Sequence, residues 1–179
     1  MNDRVASPPR AVLFDRDGTL VHDVPYNGDP ALVRPVPGAV RALQRLRDAG
    51  LRIALVTNQS GIARGLLTAA AVGAVNDELQ RQVGRFDAVA VCPHAPEEGC
   101  GCRKPAPGLV LQAAAALGVR PDETVVIGDI GADVGAAAAA GARSILVPTP
   151  VTRREEVEEA PLVAPDLDAA VDLVLGGLA

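Results

Sequence analysis

The chain has 179 residues, 49% of them hydrophobic and 22% charged, which is enough for one globular domain with a sizeable core and excludes a disordered chain. Aromatics are only 2% and the formal net charge is −5, so there is little to stack on bases and a field that opposes non-specific nucleic-acid binding. No apolar run approaches the ~18 residues of a membrane span, and Met1 to Arg10 is polar rather than signal-like; a single cytoplasmic domain over 1–179, without membrane or nucleic-acid partners and monomeric, is expected.

Ala11–Phe14 is an apolar run that predicts a buried strand ending at Asp15. Val40, Leu43, Leu46 and Ala49 recur at helical spacing between Pro37-Gly38 and Gly50. A second strand covers Ile53–Val56 and ends at Thr57. Thr68 then looks like the N-cap of a helix reaching about Val83. Ala88–Val91 is a third strand, followed by a Cys/His loop, a helix from Pro107 to Leu117 closed by Gly118, and a fourth strand over Thr124–Ile127. A helix over Ala132–Ala140 leads to a fifth strand at Ser144–Val147. Beyond Pro148 come an acidic stretch, a short strand near Leu162 and a last helix over about Leu167–Leu175. Continuous apolar strands alternating with helices imply an α/β fold, a Rossmann-like doubly wound parallel sheet covered on both faces. Such sheets bind ligands beyond the carboxyl ends of their strands.

The residues just past each strand are therefore the ones to weigh. After the first strand come Asp15-Arg16-Asp17-Gly18-Thr19. They can be turn formers at a loop start. They can equally be a carboxylate nucleophile and an acid/base that share a magnesium ion. Thr57 and Asn58 after the second strand offer a hydroxyl and an amide to phosphate oxygens, although the same residues make ordinary turns. After the fourth strand, Asp129 is either a helix N-cap or part of an oxygen cage for magnesium. Asp133 lies one helical turn on, as a support or a solvated acid. The only lysine in the chain is Lys104, and a compact point charge suits the space between carboxylate and phosphate better than a guanidinium fork.

All three cysteines fall in Cys92-Pro-His94 and Cys100-Gly-Cys102. Alternate residues of an extended chain point the same way, so the four ligands suit a closed, structural zinc site. Three reduced thiols in a flexible loop are the alternative. The spacing differs from Cys-x-x-Cys knuckles and does not suggest a nucleic-acid finger.

In joint order these strand ends resemble the four motifs of the haloacid dehalogenase superfamily: Phe14-Asp-Arg-Asp-Gly-Thr-Leu20, Thr57, Lys104, and Gly128-Asp129 through Asp133. The resemblance spans roughly residues 11 to 150. It implies Asp15 as nucleophile, Asp17 as general acid/base, Thr57 and Asn58 on the transferring phosphoryl group, and Lys104 neutralising nucleophile and phosphate. It also implies magnesium on the Asp15 carboxylate, the Asp17 carbonyl and Asp129. Val21 to Pro37 is too short for a cap domain, so a capless fold with an open site is expected. The zinc loop before Arg103-Lys104-Pro105 is similar to that of D-glycero-D-manno-heptose 1,7-bisphosphate 7-phosphatases and of histidinol-phosphate phosphatases. Thr57-Asn-Gln-Ser-Gly-Ile-Ala-Arg-Gly65 looks like the heptose enzymes, which makes Arg64 and Arg103 candidate substrate contacts. Ile130 follows Asp129 where those enzymes usually carry lysine, and Val21 to Pro37 departs from their sequence. A phosphomonoesterase acting on a small phosphorylated sugar is the expectation. The alternatives are a histidinol-phosphate or generalist sugar phosphatase, or a phosphate-binding interaction module without turnover.

Overall fold

The computed structural model describes residues 8–178; most of the polar N-terminal stretch read above lies outside the described residues. Five parallel strands, β1 (Ala11–Phe14), β2 (Arg52–Asn58), β3 (Ala88–Cys92), β4 (Thr124–Gly128) and β5 (Arg143–Leu146), form one sheet in the order β3-β2-β1-β4-β5. The register sets Phe14 beside Leu55 on one side and Ile127 on the other. From β1 the chain winds outward to β3, then crosses back and winds outward to β5. The winding direction reverses between β1 and β4, the place beyond which open parallel sheets bind their ligands.

Period-2 alternation sorts each strand's side chains onto two cores. Val12, Phe14, Ile53, Leu55, Val125 and Ile127 pack with helices α1 (Ala39–Asp48), α2 (Ala69–Val83) and α6 (Leu167–Leu175). Ala11, Leu13, Ala54, Val56, Ala90 and Val126 pack with α3 (Gly108–Leu117) and α4 (Gly131–Ala140). The second face is built largely from alanine, including Ala113, Ala136 and Ala137. Small side chains let α3 and α4 lie close on the sheet, and the first turn of α4 approaches the end of β4, where a Cβ on Gly128 would meet Asp133.

Most elements follow the sequence reading, and the caps explain where they start. Thr68 accepts a hydrogen bond from the Ala71 amide at 3.0 Å, and Asp166 caps α6 through the Ala169 amide at 2.8 Å. Two differences lie in the last third. β5 runs one residue earlier than Ser144–Val147, because its register is fixed by pairing Arg143 with Val125. The acidic stretch holds a short helix, α5 (Arg154–Glu159), and the strand expected near Leu162 is a single bridge from Val163 to Leu146. Between β1 and α1, among the described residues, the chain forms one 3-10 turn, Pro30–Leu32, and single bridges from Val21 to Asp17 and to Pro35. No helix among the described residues is long and apolar enough to cross a membrane.

Candidate active site

Four strand ends converge on one buried ammonium. Lys104 Nζ donates to Asp15 Oδ1 at 2.6 Å, to Asp133 Oδ1 at 2.6 Å and to the Val56 carbonyl at 2.9 Å. These three acceptors match its three protons. Asp15 follows β1, Val56 lies in β2, Lys104 comes from the loop after β3, and Asp133 sits in the first turn of α4. Burial works against the lysine's charge, but Asp15 and Asp133 outweigh it and hold its proton more tightly than usual. The side-chain amide of Asn58, a residue expected at the phosphoryl group, is engaged with the backbone of Lys104. It donates to the Lys104 carbonyl and accepts from the Lys104 amide, both at 3.1 Å, and so fixes the backbone that carries the ammonium.

Oxygens of Asp15, Asp129 and Asp133 lie within 4.8 Å of one another. One ammonium faces three buried carboxyls, so the site is short of positive charge. Burial pushes Asp15 up to about 8 despite Lys104, and burial with Asp133 beside it pushes Asp129 up to about 7. A divalent cation held by hard oxygen ligands would supply the missing charge, so the donor set fits magnesium. Gly18 makes room for this cluster: its φ of +83° is left-handed, and a Cβ there would collide with the Asp129 carboxylate. Asp129 is also held from the chain's last third, where Thr152 Oγ1 donates to its carbonyl at 2.6 Å and accepts from the Thr149 amide at 2.8 Å.

Asp17 is turned to another set of partners. Arg16 Nε approaches its Oδ1 and Oδ2 at 3.1 and 3.2 Å, Arg16 Nη2 lies 3.0 Å from Oδ2, and Gln59 Nε2 donates to Oδ2 at 2.9 Å. The same Gln59 nitrogen reaches Thr57 Oγ1 at 2.9 Å. Asp17 is 26% exposed against 11% for Asp15, and it borders a hollow of about 320 Å³ with Tyr26, Asn58 and Ser60. A second hollow of about 280 Å³ lies beside Arg103 and Lys104. Arg64 stands at the rim, donating to the Tyr26 hydroxyl at 2.8 Å and lying 3.9 Å from Glu97. Arg103 Nη1 donates to the His94 carbonyl at 3.3 Å.

The zinc-type ligands come together as the spacing predicts. Cys92, His94, Cys100 and Cys102 form one cluster, with sulfur–sulfur distances of 3.1, 3.5 and 3.7 Å and His94 Nδ1 at 3.2 Å from Cys102 and 3.5 Å from Cys92. Zinc–sulfur bonds of about 2.3 Å in a tetrahedron put sulfurs ~3.8 Å apart, so the cluster has the size of such a site, slightly contracted. Burial and the neighbouring thiols push Cys92 up to about 12. At Cys100 burial opposes the thiolate, yet the Arg103 amide and its neighbours bring it down to about 7. That amide donates to Cys100 Sγ at 3.4 Å, so the cluster grips the residue next to Lys104.

Gln59, Thr152 and the Arg16 guanidinium were not singled out from the sequence. Gln59 stands within the run already noted; Thr152 carries no local signal at all.

A haloacid dehalogenase-like hydrolase family profile matches residues 12–74, and a HAD-hydrolase-like profile matches 101–173. D-glycero-beta-D-manno-heptose-1,7-bisphosphate 7-phosphatase of Bordetella bronchiseptica is 35% identical over 175 residues, covering 93% of the chain and 98% of the relative. D-glycero-alpha-D-manno-heptose-1,7-bisphosphate 7-phosphatase of Mycobacterium tuberculosis is 39% identical over 145 residues, covering 73% of the chain and 75% of the relative. The solved structure of the B. bronchiseptica D,D-heptose 1,7-bisphosphate phosphatase, complexed with magnesium and phosphate, superposes with a TM-score of 0.82 at 34% identity, over 93% of this chain and 98% of that one. The chain belongs to the haloacid dehalogenase-like hydrolase family, among its phosphatases.

Proposed function

We propose that the chain is a magnesium-dependent phosphomonoesterase that forms an aspartyl-phosphate on Asp15, and that it removes the 7-phosphate of D-glycero-D-manno-heptose 1,7-bisphosphate. The observation that carries this reading is the division of labour at the end of β1. One carboxylate, Asp15, is buried against Lys104 at 2.6 Å, while a second, Asp17, stays partly exposed beside a hollow.

The Asp15 carboxylate attacks phosphorus, and the ester oxygen leaves as Asp17 gives it a proton. In the second step Asp17 takes a proton from the water that attacks the aspartyl-phosphate, which restores both carboxyls and releases inorganic phosphate. Lys104 balances charge on Asp15 and on the phosphoryl oxygens. The Thr57 hydroxyl and the amides of the loop beginning at Asn58 hold those oxygens. The carboxylates of Asp15 and Asp129 and the Asp17 carbonyl would hold magnesium, which when bound screens the repulsion between phosphate and carboxylates. Cys92, His94, Cys100 and Cys102 would hold a structural zinc that fixes the Arg103-Lys104 segment.

The sugar assignment draws on the relatives' names and on the two arginines. Arg64 and Arg103 stand outside the reacting carboxylates, where a second phosphate can be held and its binding energy used for positioning. Ile130, in place of a lysine, removes one cation near the phosphate. The test is kcat/KM with magnesium for both anomers of the heptose bisphosphate and for histidinol phosphate. A preference for heptose bisphosphate over histidinol phosphate is expected, together with loss of that preference in Arg103→Ala. Equal values for heptose bisphosphate and histidinol phosphate would return the assignment to a generalist phosphatase. Purified Asp15→Asn should show no turnover while still folding, and substantial turnover would exclude the covalent route.

A further inference from the structure

Arg16 is 1% exposed, the largest fully buried side chain in the described chain. Its guanidinium is spent in two directions. Nε and Nη2 face the Asp17 carboxylate, and Nη1 donates to Asn76 Oδ1 at 2.9 Å. Asn76 is 60 residues away on α2, itself 4% exposed. It sits on the buried face of that helix among Val72, Val75, Leu79 and Val83. A buried amide on an apolar helix face is costly unless it has a partner, and here its acceptor is used by Arg16.

We infer that Asn76 is a positioning residue for the proton-transfer group Asp17, acting through the buried guanidinium of Arg16. This rests on the reading of Asp17 as acid/base given above. Asp17 is gripped from two independent elements. Gln59, at the end of β2, holds Oδ2 and is tied to Thr57. Arg16 holds both oxygens and is tied to α2. Burial restricts the Arg16 side chain, and its hydrogen bonds set the orientation of the guanidinium plane; Nη1 on Asn76 is a fixed point independent of Asp17. Without the Asn76 oxygen the guanidinium can rotate and carry the carboxylate with it. Proton transfer to a leaving oxygen requires hydrogen-bond geometry, so a small displacement acts on that step first. Attack by Asp15 and charge balance by Lys104 rest on a separate set of contacts.

The leaving group separates this role from a purely structural one. A sugar alkoxide needs the proton as it departs; p-nitrophenolate is stable enough to leave without it. Both reactions share nucleophile, metal requirement and phosphate site. The experiment therefore measures kcat/KM, which reports phosphoryl transfer to Asp15, on heptose bisphosphate and on p-nitrophenyl phosphate, for wild type, Asn76→Leu, Asn76→Ala, Asn76→Asp and Asp17→Asn. Asn76→Leu and Asn76→Ala should lose about 10- to 100-fold on the sugar phosphate, a part of the full acid/base effect, and less than about threefold on p-nitrophenyl phosphate. Asn76→Asp, which keeps an acceptor for Nη1, should restore the sugar-phosphate rate. Asn76→Ala adds no bulk to the core and stands in for Asn76→Leu if that variant does not fold. Equal losses on both substrates, or no loss on either, in the folded Asn76 variants would overturn the inference. Should Asp17→Asn itself lose both activities equally, the acid/base reading of Asp17 falls, and the inference with it. A selective loss in Asp17→Asn without one in the Asn76 variants would remove only the role of Asn76.

Discussion

Asp133 and Lys104 are joined by a 2.6 Å ion pair in which both side chains are almost wholly buried, 2% and 3% exposed. Asp133 also accepts from the Ile130 amide at 3.3 Å, so one carboxylate caps α4 and fixes the ammonium that faces Asp15. Asp133→Ala takes one of the ammonium's three acceptors but leaves Asp15 and the Val56 carbonyl, so it should destabilise the fold by about 1–3 kcal/mol. Turnover should fall even in the molecules that remain folded, because Lys104 loses its fixed place. Urea unfolding and p-nitrophenyl phosphate hydrolysis on the same preparation check both, and a stable, fully active variant would contradict them.

Gly18 is irreplaceable on two grounds, its φ of +83° and the Asp129 carboxylate that a Cβ would strike. Gly18→Ala should cost about 1–3 kcal/mol in backbone strain. It should also raise the magnesium concentration needed for half-maximal activity, since Asp129 must move aside. A magnesium titration followed by calorimetry distinguishes this from strain alone, which would lower the melting temperature and leave magnesium affinity unchanged.

Asp15 and Asp129 are pushed up to about 8 and about 7 from 3.8, in both cases first by burial. Groups whose folded pKa lies above the unfolded value keep protons longer in the folded state, so stability falls as pH rises between the two values. In magnesium-free buffer the melting temperature should therefore drop as pH goes from about 5 to about 8.5. Added magnesium should raise it more at the upper pH, where both carboxyls are ionised. Scanning fluorimetry with and without magnesium at several pH values tests the sign. A flat profile in magnesium-free buffer would mean that the charge imbalance at the site is relieved in another way.

Protein purified without chelators under reducing conditions should carry about one zinc per chain, bound by thiolate and imidazole ligands. Cys100→Ser should lose that zinc and, because the Arg103 amide is anchored on Cys100 Sγ, should lower turnover at saturating magnesium. Mass spectrometry of the intact protein reads the metal. A zinc-free wild type would turn the cluster into a set of reduced thiols.

The strands and most helices were legible because they are local: apolar runs of three to five residues, caps such as Thr68, and glycine stops at Gly50 and Gly118. The chemistry at the strand ends was legible for a related reason, since a parallel sheet delivers every strand end to the same edge. Asp15, Asp17, Lys104 and Asp129 could therefore be grouped before any distance was known. α5 was not visible, because six mostly charged residues have no apolar stripe; Arg153–Glu156 and Arg154–Glu158 pairs line it instead. The tertiary structure alone decided which buried polar groups meet. Asn58 holds the backbone of Lys104 46 residues on, Thr152 holds Asp129, and Asn76 holds Arg16 across 60 residues. No periodicity encodes such pairs. Each follows from strand register and helix packing, which bring donors and acceptors from distant segments together, in the Arg16–Asn76 pair where burial leaves no water as the alternative partner.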